Sequence, residues 1–183
     1  MSVNEDKSSN QNVGEPEDWL EEHGDSLFRY ALTRVRNTDT AEELVQETLI
    51  AGWRNRDRFD GRSSVSTWLF SILRNKLIDF LRVESRQARI QEQHRDTVRD
   101  SETLWPSDPA KDLENDEFWK IFFECVAKLP PKLSEAYTLR EINESSTQEA
   151  CEILGITANN FSARLRRARL ALRDCLQLHW FSH

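Results

Sequence analysis

Apolar residues recur every three or four positions along most of the chain, and polar segments separate these stretches. This spacing is typical of amphipathic helices, and no stretch shows the strict alternation of a strand. The pattern predicts helices at 19–36, from 40 to about 54, from 65 past 82, at 118–129 and at 133–140, with two more on either side of Gly155. A capping-box sequence at 40–43 is predicted to open the second helix, after a break at 37–39. The fold class is therefore predicted to be all-α.

Composition divides these helices into two groups. Residues 1–16 are rich in Asn, Ser, Glu and Asp and are expected to be disordered. Residues 96–117 are acidic and contain Pro106 and Pro109, which predicts a flexible acidic linker. Two small helical domains are thus expected at 17–95 and 118–177, followed by a short C-terminal tail at 178–183.

The segment 145–169 has the pattern of a helix-turn-helix. Gly155 is predicted to end the first helix in a left-handed conformation, and Thr157 to cap the second. The second helix has one apolar stripe, made of Phe161, Leu165, Ala168 and Leu172. The face opposite the stripe carries Asn159, Asn160, Ala163, Arg166 and Arg167, with Arg164 on its flank. Arg and Asn pair bidentately with base edges, and such a helix lies in the major groove of DNA.

An ordinary solvated basic face is the alternative interpretation of this helix. Arg164 to Arg173 contains five arginines and no acid, which favours DNA binding because solvated faces usually mix both charges. The net charge of −7 argues weakly against a nucleic-acid partner. The charge is unevenly distributed, however, with −7 in residues 1–25, +4 in 26–95, −6 in 96–117 and +2 in 118–183. DNA meets the local patch rather than the total charge.

The predicted helix at 40–54 has two contrasting faces. Its buried face is expected to contain Ala41, Leu44, Val45, Thr48 and Gly52. Its opposite face presents Glu43, Gln46, Glu47, Ile50 and Arg54. An exposed Ile among charged residues is typical of a protein contact, although a plain solvated face explains the pattern equally well.

The stretch 59–76 combines a Gly- and Ser-containing loop with a helix that has aromatic residues near its start. Ser71, Asn75, Ile78 and Arg82 share one face of this helix, and Arg74 lies beside it. Loops and aromatics next to basic faces hold unstacked bases of single strands. Trp68 and Phe70 are alternatively core residues, which is the interpretation we favour for Trp68.

The cysteines and histidines give no sign of a metal or cofactor site. Cys125, Cys151 and Cys175 are far apart and match no ligand or redox spacing. We therefore predict small buried apolar side chains without a disulfide, in keeping with a reducing compartment. His179 and His183 are too few ligands to predict a metal.

The remaining features exclude other classes of protein. The first residues contain no apolar signal segment, and no run is long enough to span a bilayer, so a cytoplasmic protein without membrane insertion is expected. No catalytic constellation or phosphate-binding loop is present, which argues against an enzyme.

The two predicted domains, which we call the first block and the second block, together resemble the extracytoplasmic-function (ECF, group IV) sigma factors of bacterial RNA polymerase. In the first block the resemblance lies in AEELVQET (41–48) and in residues 59–75. In the second it lies in Leu129-Pro130, in Leu139-Arg140-Glu141 and in residues 146–169. The resemblance covers about 24–95 and 118–176 and implies a σ2-like and a σ4-like domain, without the σ3 domain of larger relatives.

The resemblance also implies partners and roles. Glu43, Gln46, Glu47, Ile50 and Arg54 would face the clamp helices of the polymerase β′ subunit. The loop of Arg62, Ser63, Ser64 and Val65 would capture a flipped base of the −10 element, and Arg74, Asn75 and Lys76 would contact the same element. Thr157, Asn159, Asn160, Ala163, Arg164, Arg166 and Arg167 would read the −35 element. Residues 133–141 would contact the flap of the β subunit, and an anti-sigma factor would regulate a protein that is monomeric when free.

The chain departs from the family in places. Many relatives carry other residues at 159–161, so the −35 sequence is not deducible, and the family assigns no role to the N-terminal extension or the tail. A stand-alone helix-turn-helix repressor or activator is the competing prediction. It would need a dimer interface or a sensor domain, and none is visible in the sequence.

Overall fold

The computed structural model describes residues 13–92 and 113–181, and every regular element within those ranges is helical. The helices are α1 (Pro16–Val35), α2 (Thr38–Arg54), α3 (Val65–Glu92), α4 (Leu113–Lys128), α5 (Pro131–Tyr137), α6 (Thr147–Leu154) and α7 (Ala158–His179). A 3-10 turn at Arg56–Arg58 follows α2, and a π-helical segment at Thr138–Ile142 continues α5. The all-α prediction is confirmed, while residues 1–12 and most of the predicted linker lie outside the described ranges.

Helices α1, α2 and α3 form an N-terminal helical domain around one apolar core. The five residues predicted for the inner face of α2 are all buried. Gly52 is needed there, because a Cβ at this position would lie 2.9 Å from Leu69 Cδ2 and 3.1 Å from Trp19 Cζ3. Absence of a side chain therefore lets α2 approach α1 and α3 closely.

The aromatic residues at the start of α3 belong to this core. Trp68 is partly buried, and its ring meets the ring of Trp19 edge to face at a centroid distance of 6.0 Å. Phe59 lies on its other side at 5.1 Å. Phe70 is buried against Tyr30 at 5.5 Å. The core interpretation of Trp68 and Phe70 is confirmed.

Helices α4 to α7 form a C-terminal helical domain. The predicted stripe of α7, consisting of Phe161, Leu165, Ala168 and Leu172, is buried in its core. Pro131 stands at the first position of α5, where its missing N–H costs no helical hydrogen bond, and Pro130 directly precedes it, so the Pro-Pro pair separates α4 from α5.

Several helix boundaries differ from prediction, and two of them have a clear local cause. The capping box at 40–43 is wrong, because α2 begins earlier and is capped by Asn37, whose side chain accepts a hydrogen bond from Thr40 N at 2.8 Å. Asn is a strong N-cap, so the helix starts at the first position where a cap satisfies its free N–H groups. Helix α4 begins at Leu113, inside the predicted linker. Acidic residues are favourable in the first turn of a helix, so acidic composition alone did not mark the boundary.

The two domains contact each other directly. Glu135 of α5 is 5% exposed and lies 3.5 Å from Arg74 Nε and 4.0 Å from Arg34 Nη2, both on the N-terminal domain. The Arg34 guanidinium also donates to Pro131 O at 3.1 Å, and Asn143 Nδ2 donates to Ser26 O at 2.6 Å. A charged and hydrogen-bonded interface therefore holds the domains together in this arrangement.

The prediction that the cysteines form no disulfide is contradicted for two of them. Cys125 of α4 and Cys175 of α7 are joined by a disulfide, with their Cα atoms 5.8 Å apart. They are separated by 50 positions, and only the packing of α4 against α7 brings them together. Cys151 is a free, half-buried thiol, and burial raises its pKa.

Candidate nucleic-acid interface

The helix-turn-helix is built from local signals that the structure confirms. Ser146 caps α6 and forms a capping box with Glu149. Gly155 has φ of +63°, the left-handed conformation that ends α6. The Thr157 hydroxyl lies 3.4 Å from Asn160 N and caps α7. These short-range features fix where α7 begins and therefore which of its residues occupy the first turns.

The face of α7 opposite its buried stripe is exposed and basic. Exposed residues at the N-terminal half of the helix are Thr157, Asn159, Asn160, Ala163, Arg166 and Arg167. Arg164 is only partly exposed, and its Nε donates to Asn160 Oδ1 at 2.8 Å, which holds both side chains in place. The structure thus brings all seven predicted −35 residues to one end of one helix.

The loop before α3 is organised around two short polar contacts. Arg62 Nε lies 3.0 Å from Asp60 Oδ2, and its side chain is 88% exposed. The Ser64 hydroxyl accepts from Thr67 N at 3.1 Å and so caps α3, which begins at Val65. Ser63 is partly buried. Ser64 therefore has a structural role as a cap in addition to any contact with a base.

The three predicted −10 residues on α3 point in different directions. Asn75 is exposed. Arg74 instead faces Glu135 of the C-terminal domain, and Lys76 Nζ lies 2.7 Å from Glu47 Oε2 of α2. Of these three residues Asn75 is the exposed one in this arrangement, whereas Arg74 and Lys76 each face a carboxylate.

The predicted polymerase-binding residues form one surface of α2. Glu43, Gln46, Glu47, Ile50 and Arg54 are all exposed. Glu43 and Glu47 line a groove of about 400 Å³ between α2 and α3, together with Lys76 and Phe80. Trp53 was not predicted for this surface, yet it is 50% exposed one turn from Ile50, itself 49% exposed. Its i+3 spacing from Ile50 was the available signal.

Two further features were missed because they depend on distant contacts. Glu135 lies in a run of buried residues on a short helix, and nothing in its neighbours marks it as the partner of two arginines. The charge of Glu135 also affects Tyr30, because burial and, after it, this charge raise the pKa of the Tyr30 phenol. The disulfide between α4 and α7 is the second feature.

None of the described helices is long and apolar enough to cross a membrane.

Comparisons with known proteins agree with this architecture. The family described as Sigma-70 region 2 matches residues 19–87, and the family described as Sigma-70, region 4 matches residues 120–172. The probable RNA polymerase sigma factor of Haemophilus influenzae is 34% identical over 162 residues, covering 82% of this chain and 84% of that protein. The ECF RNA polymerase sigma factor SigM of Bacillus subtilis is 29% identical, covering 80% and 86%.

Solved structures show the same fold. The sigma factor RpoE of Bartonella quintana, solved in complex with the anti-sigma factor NepR, matches with a TM-score of 0.71 and 27% identity, covering 89% of this chain and 99% of that one. CnrH, solved in complex with the cytosolic domain of CnrY, matches with a TM-score of 0.67 at 22% identity, covering 90% and 88%. The chain therefore belongs to the sigma-70 family of RNA polymerase sigma factors, and within it to the extracytoplasmic-function type.

Proposed function

We propose that this sigma factor directs core RNA polymerase to promoters through three of its surfaces. Helix α7 reads the −35 element, the loop at 62–65 with α3 reads and opens the −10 element, and the outer face of α2 binds the polymerase. The protein works with polymerase and DNA in the bacterial cytoplasm. The family points to a protein without catalytic activity of its own, so its contribution is specificity and strand opening.

The observation that carries this proposal is the basic face of α7 behind the Gly155 turn. Arg166 and Arg167 lie on the exposed side of the helix, within its first three turns, while Phe161 and Leu165 are buried behind them. A recognition helix contacts base edges with its N-terminal residues, and Arg pairs bidentately with guanine. The Arg164–Asn160 pair supports the proposal, because side chains held in place lose less entropy on binding.

The −10 contact is proposed for the loop at 62–65 and the exposed face of α3. Arg62 projects almost fully into solvent, and Asn75 is exposed on α3, the helix that follows this loop. A flipped base held in this loop would offset part of the few kcal/mol that unstacking costs. Such a contact needs a single strand, so it forms only after the duplex opens.

The polymerase contact is proposed for the outer face of α2. Ile50 and Trp53 give this face an apolar centre, and Glu43, Gln46, Glu47 and Arg54 surround it with polar groups. Protein interfaces are enriched in aromatic residues at their centre and polar at their rim. By resemblance the partner is the pair of clamp helices of the β′ subunit, while residues 133–141 contact the β flap.

Promoter binding in this proposal requires the two domains to separate. Arg74 is paired with Glu135 across the domain interface, and it reaches DNA only after that pair opens. The Lys76–Glu47 pair is a smaller obstacle, since a partly exposed ion pair contributes about 0–1 kcal/mol. Core polymerase supplies the opening by binding both domains at the spacing of the promoter elements.

An anti-sigma factor is proposed as the second partner. The RpoE structure was solved with an anti-sigma factor and matches this chain across both domains. A partner that stabilises the contact between the domains would keep Arg74 away from DNA. Regulation would then follow from the release of that partner.

The proposal is tested by promoter binding with and without core polymerase. Duplex binding by the protein alone is expected to be weak, because residues 26–95 carry a net charge of only +4 and residues 118–183 of only +2. With core polymerase we expect specific binding, an open −10 region and run-off transcripts.

The competing function is a stand-alone helix-turn-helix repressor or activator. Nanomolar, sequence-specific duplex binding by the protein alone, unchanged by core polymerase and without strand opening, would establish that function and overturn ours. The measurement is a mobility shift at fixed salt, because the affinity of any DNA-binding protein depends steeply on salt.

A further inference from the structure

Cys125, Cys175 and His179 form a cluster between the first and last helices of the C-terminal domain. The ligand-type atoms of these three side chains lie within 4.8 Å of one another. His179 Nδ1 is 2.8 Å from Cys175 O and 3.8 Å from Cys175 Sγ, so its N–H points at the carbonyl with the sulfur beside it. The other ring nitrogen, Nε2, is 3.3 Å from Lys128 Nζ and accepts a hydrogen bond from that ammonium.

The two cysteine residues differ in their exposure to solvent. Cys125 is 1% exposed, whereas Cys175 lies at the rim and is partly exposed. A small oxidant in solution therefore reaches Cys175 first. The His179 ring lies 3.8 Å from Cys175 Sγ, and Lys128, which follows Cys125 on α4, contacts the other ring nitrogen. Positively charged groups near a thiol favour its thiolate, which is the reactive form.

The compartment makes a permanent structural disulfide an unsuitable explanation. This step rests on the proposed function, which puts the protein in the bacterial cytoplasm with RNA polymerase. Cellular dithiols keep thiols reduced there, and the disulfides that do form are mostly transient, catalytic or redox-sensing. A pair of cysteines already within bonding distance, one accessible and one buried, is suited to reversible oxidation.

We propose that Cys125 and Cys175 are a reversible redox site, oxidised by hydroperoxides and reduced by a cellular dithiol. The Cys175 thiolate attacks one oxygen of hydrogen peroxide, which forms an S–O bond and breaks the O–O bond, and the hydroxide released takes up the proton that the Cys175 thiol lost. Cys125 sulfur then attacks Cys175 sulfur, which forms the disulfide and breaks the S–O bond. The second hydroxide takes the Cys125 proton and leaves as water.

The overall reaction with hydrogen peroxide converts two thiols and one peroxide into one disulfide and two waters. A dithiol reverses it through a mixed disulfide and returns two electrons and two protons to the cysteines. His179 is a positioning residue in this scheme. It acts through Cys175 and changes the rate of oxidation rather than its product.

The crosslink affects the helix-turn-helix because of the part of the chain that it encloses. It joins α4 to the last turns of α7, and α5, α6 and most of α7 lie between the two cysteines. It also ties together the walls of a groove of about 540 Å³ that Phe122, Tyr137 and Leu172 line. Oxidation therefore stabilises the DNA-reading domain and fixes the width of this groove.

The first test follows the chemistry on the full-length protein. Reduced protein is treated with one equivalent of hydrogen peroxide, alkylated and analysed by mass spectrometry. We expect a single Cys125–Cys175 disulfide that thioredoxin reverses. Cys151→Ser is the matched control and should behave as wild type. Cys125→Ala should instead accumulate a sulfenic acid at Cys175, trapped with dimedone.

Rate and stability provide the second readout. His179→Ala should slow the oxidation at least several-fold without changing the product, whereas Leu178→Ala, an exposed neighbour, should not. Thermal unfolding of the oxidised protein should occur about 10 °C or more above that of the reduced protein, since the closed loop is long. The same difference should be absent in Cys125→Ala.

Three results would overturn the proposal. One is no disulfide after peroxide treatment, and another is a disulfide that resists thioredoxin, which would make it a structural bond. The third is tight, stoichiometric Zn²⁺ binding by the reduced protein that His179→Ala abolishes, which would make the cluster a metal site. Each readout is independent of promoter DNA, so a negative result leaves the sigma function untouched, and a failed transcription assay leaves the thiol chemistry untouched.

Discussion

The contact between the two domains depends on Glu135, and removing its charge should open the molecule. Glu135 is 5% exposed, and it is the carboxylate that faces both Arg34 and Arg74. Glu135→Gln keeps the shape of the side chain but leaves the two guanidinium groups without a counter-charge. Breaking a buried ion pair by removing one partner costs about 3–5 kcal/mol.

The expected effect on the domain arrangement is smaller than that figure. The Arg74 side chain is 24% exposed and already partly hydrated, and separation of the domains returns both arginines to water. Because separation of the domains relieves the uncompensated charges, the full cost of the broken ion pair is not reached. We expect the equilibrium between closed and open domain arrangements to shift by about 2 kcal/mol towards the open one, or roughly 30-fold. The substitution changes no apolar side chain, so the helical content should not change.

Small-angle X-ray scattering measures this change directly. The radius of gyration of Glu135→Gln should exceed that of wild type, and its affinity for core polymerase, measured by fluorescence anisotropy, should rise because less energy is needed for opening. Asp174→Asn is the matched control, since it removes an ion pair with Arg173 inside the C-terminal domain and lies outside the proposed polymerase contacts. Unchanged scattering and affinity in Glu135→Gln would show that the ion pairs do not hold the domains together.

Three further predictions concern single surfaces. Arg166→Ala should weaken binding to the −35 element by about 1–3 kcal/mol, reduce transcription from promoters that depend on it and relax base preference there. Arg173→Ala, two turns further along α7, should leave base preference unchanged. Equal effects of both substitutions in run-off assays would contradict a base contact. Glu47→Lys should weaken binding to core polymerase in pull-downs with thermal stability unaltered, and unaltered binding would place that contact elsewhere on the domain. Gly52→Ala should destabilise the N-terminal domain by about 1–3 kcal/mol in thermal unfolding, because its Cβ would lie 2.9 Å from Leu69; unchanged stability would mean that Leu69 moves aside freely.

The helices and their faces follow from the sequence because the forces that set them act over short distances. The stripe of Phe161, Leu165, Ala168 and Leu172 repeats every 3.6 residues, and all four are buried as expected. Gly155 and Thr157 mark the turn through backbone conformation and capping, which involve only neighbouring residues. The same holds for the predicted inner face of α2. The α2 boundary was missed because Asn37 and Thr40 are both plausible caps within three residues.

The surfaces that carry the proposed contacts were predictable for the same reason. Whether each side chain on them is free to contact a partner was not predictable. A period of 3.6 residues says which side of α2 or α7 faces outward, and the exposed positions agree. It does not say what lies opposite an outward side chain. Arg74 was expected beside Asn75 on a DNA-contacting face, yet it faces Glu135 from a helix 61 positions away in the chain.

Only the tertiary structure decided how distant residues meet. Arg74 and Glu135 belong to different domains, and Cys125 and Cys175 lie 50 positions apart in the sequence of one domain. No local pattern encodes such pairs, because each residue fits the spacing of its own helix whichever distant residue packs against it. The packing of α4 against α7, and of one domain against the other, is set by the summed fit of many side chains. The sequence by itself thus determined the helices, the turn and the outward faces, and the packing alone determined which charges and which sulfurs are partners.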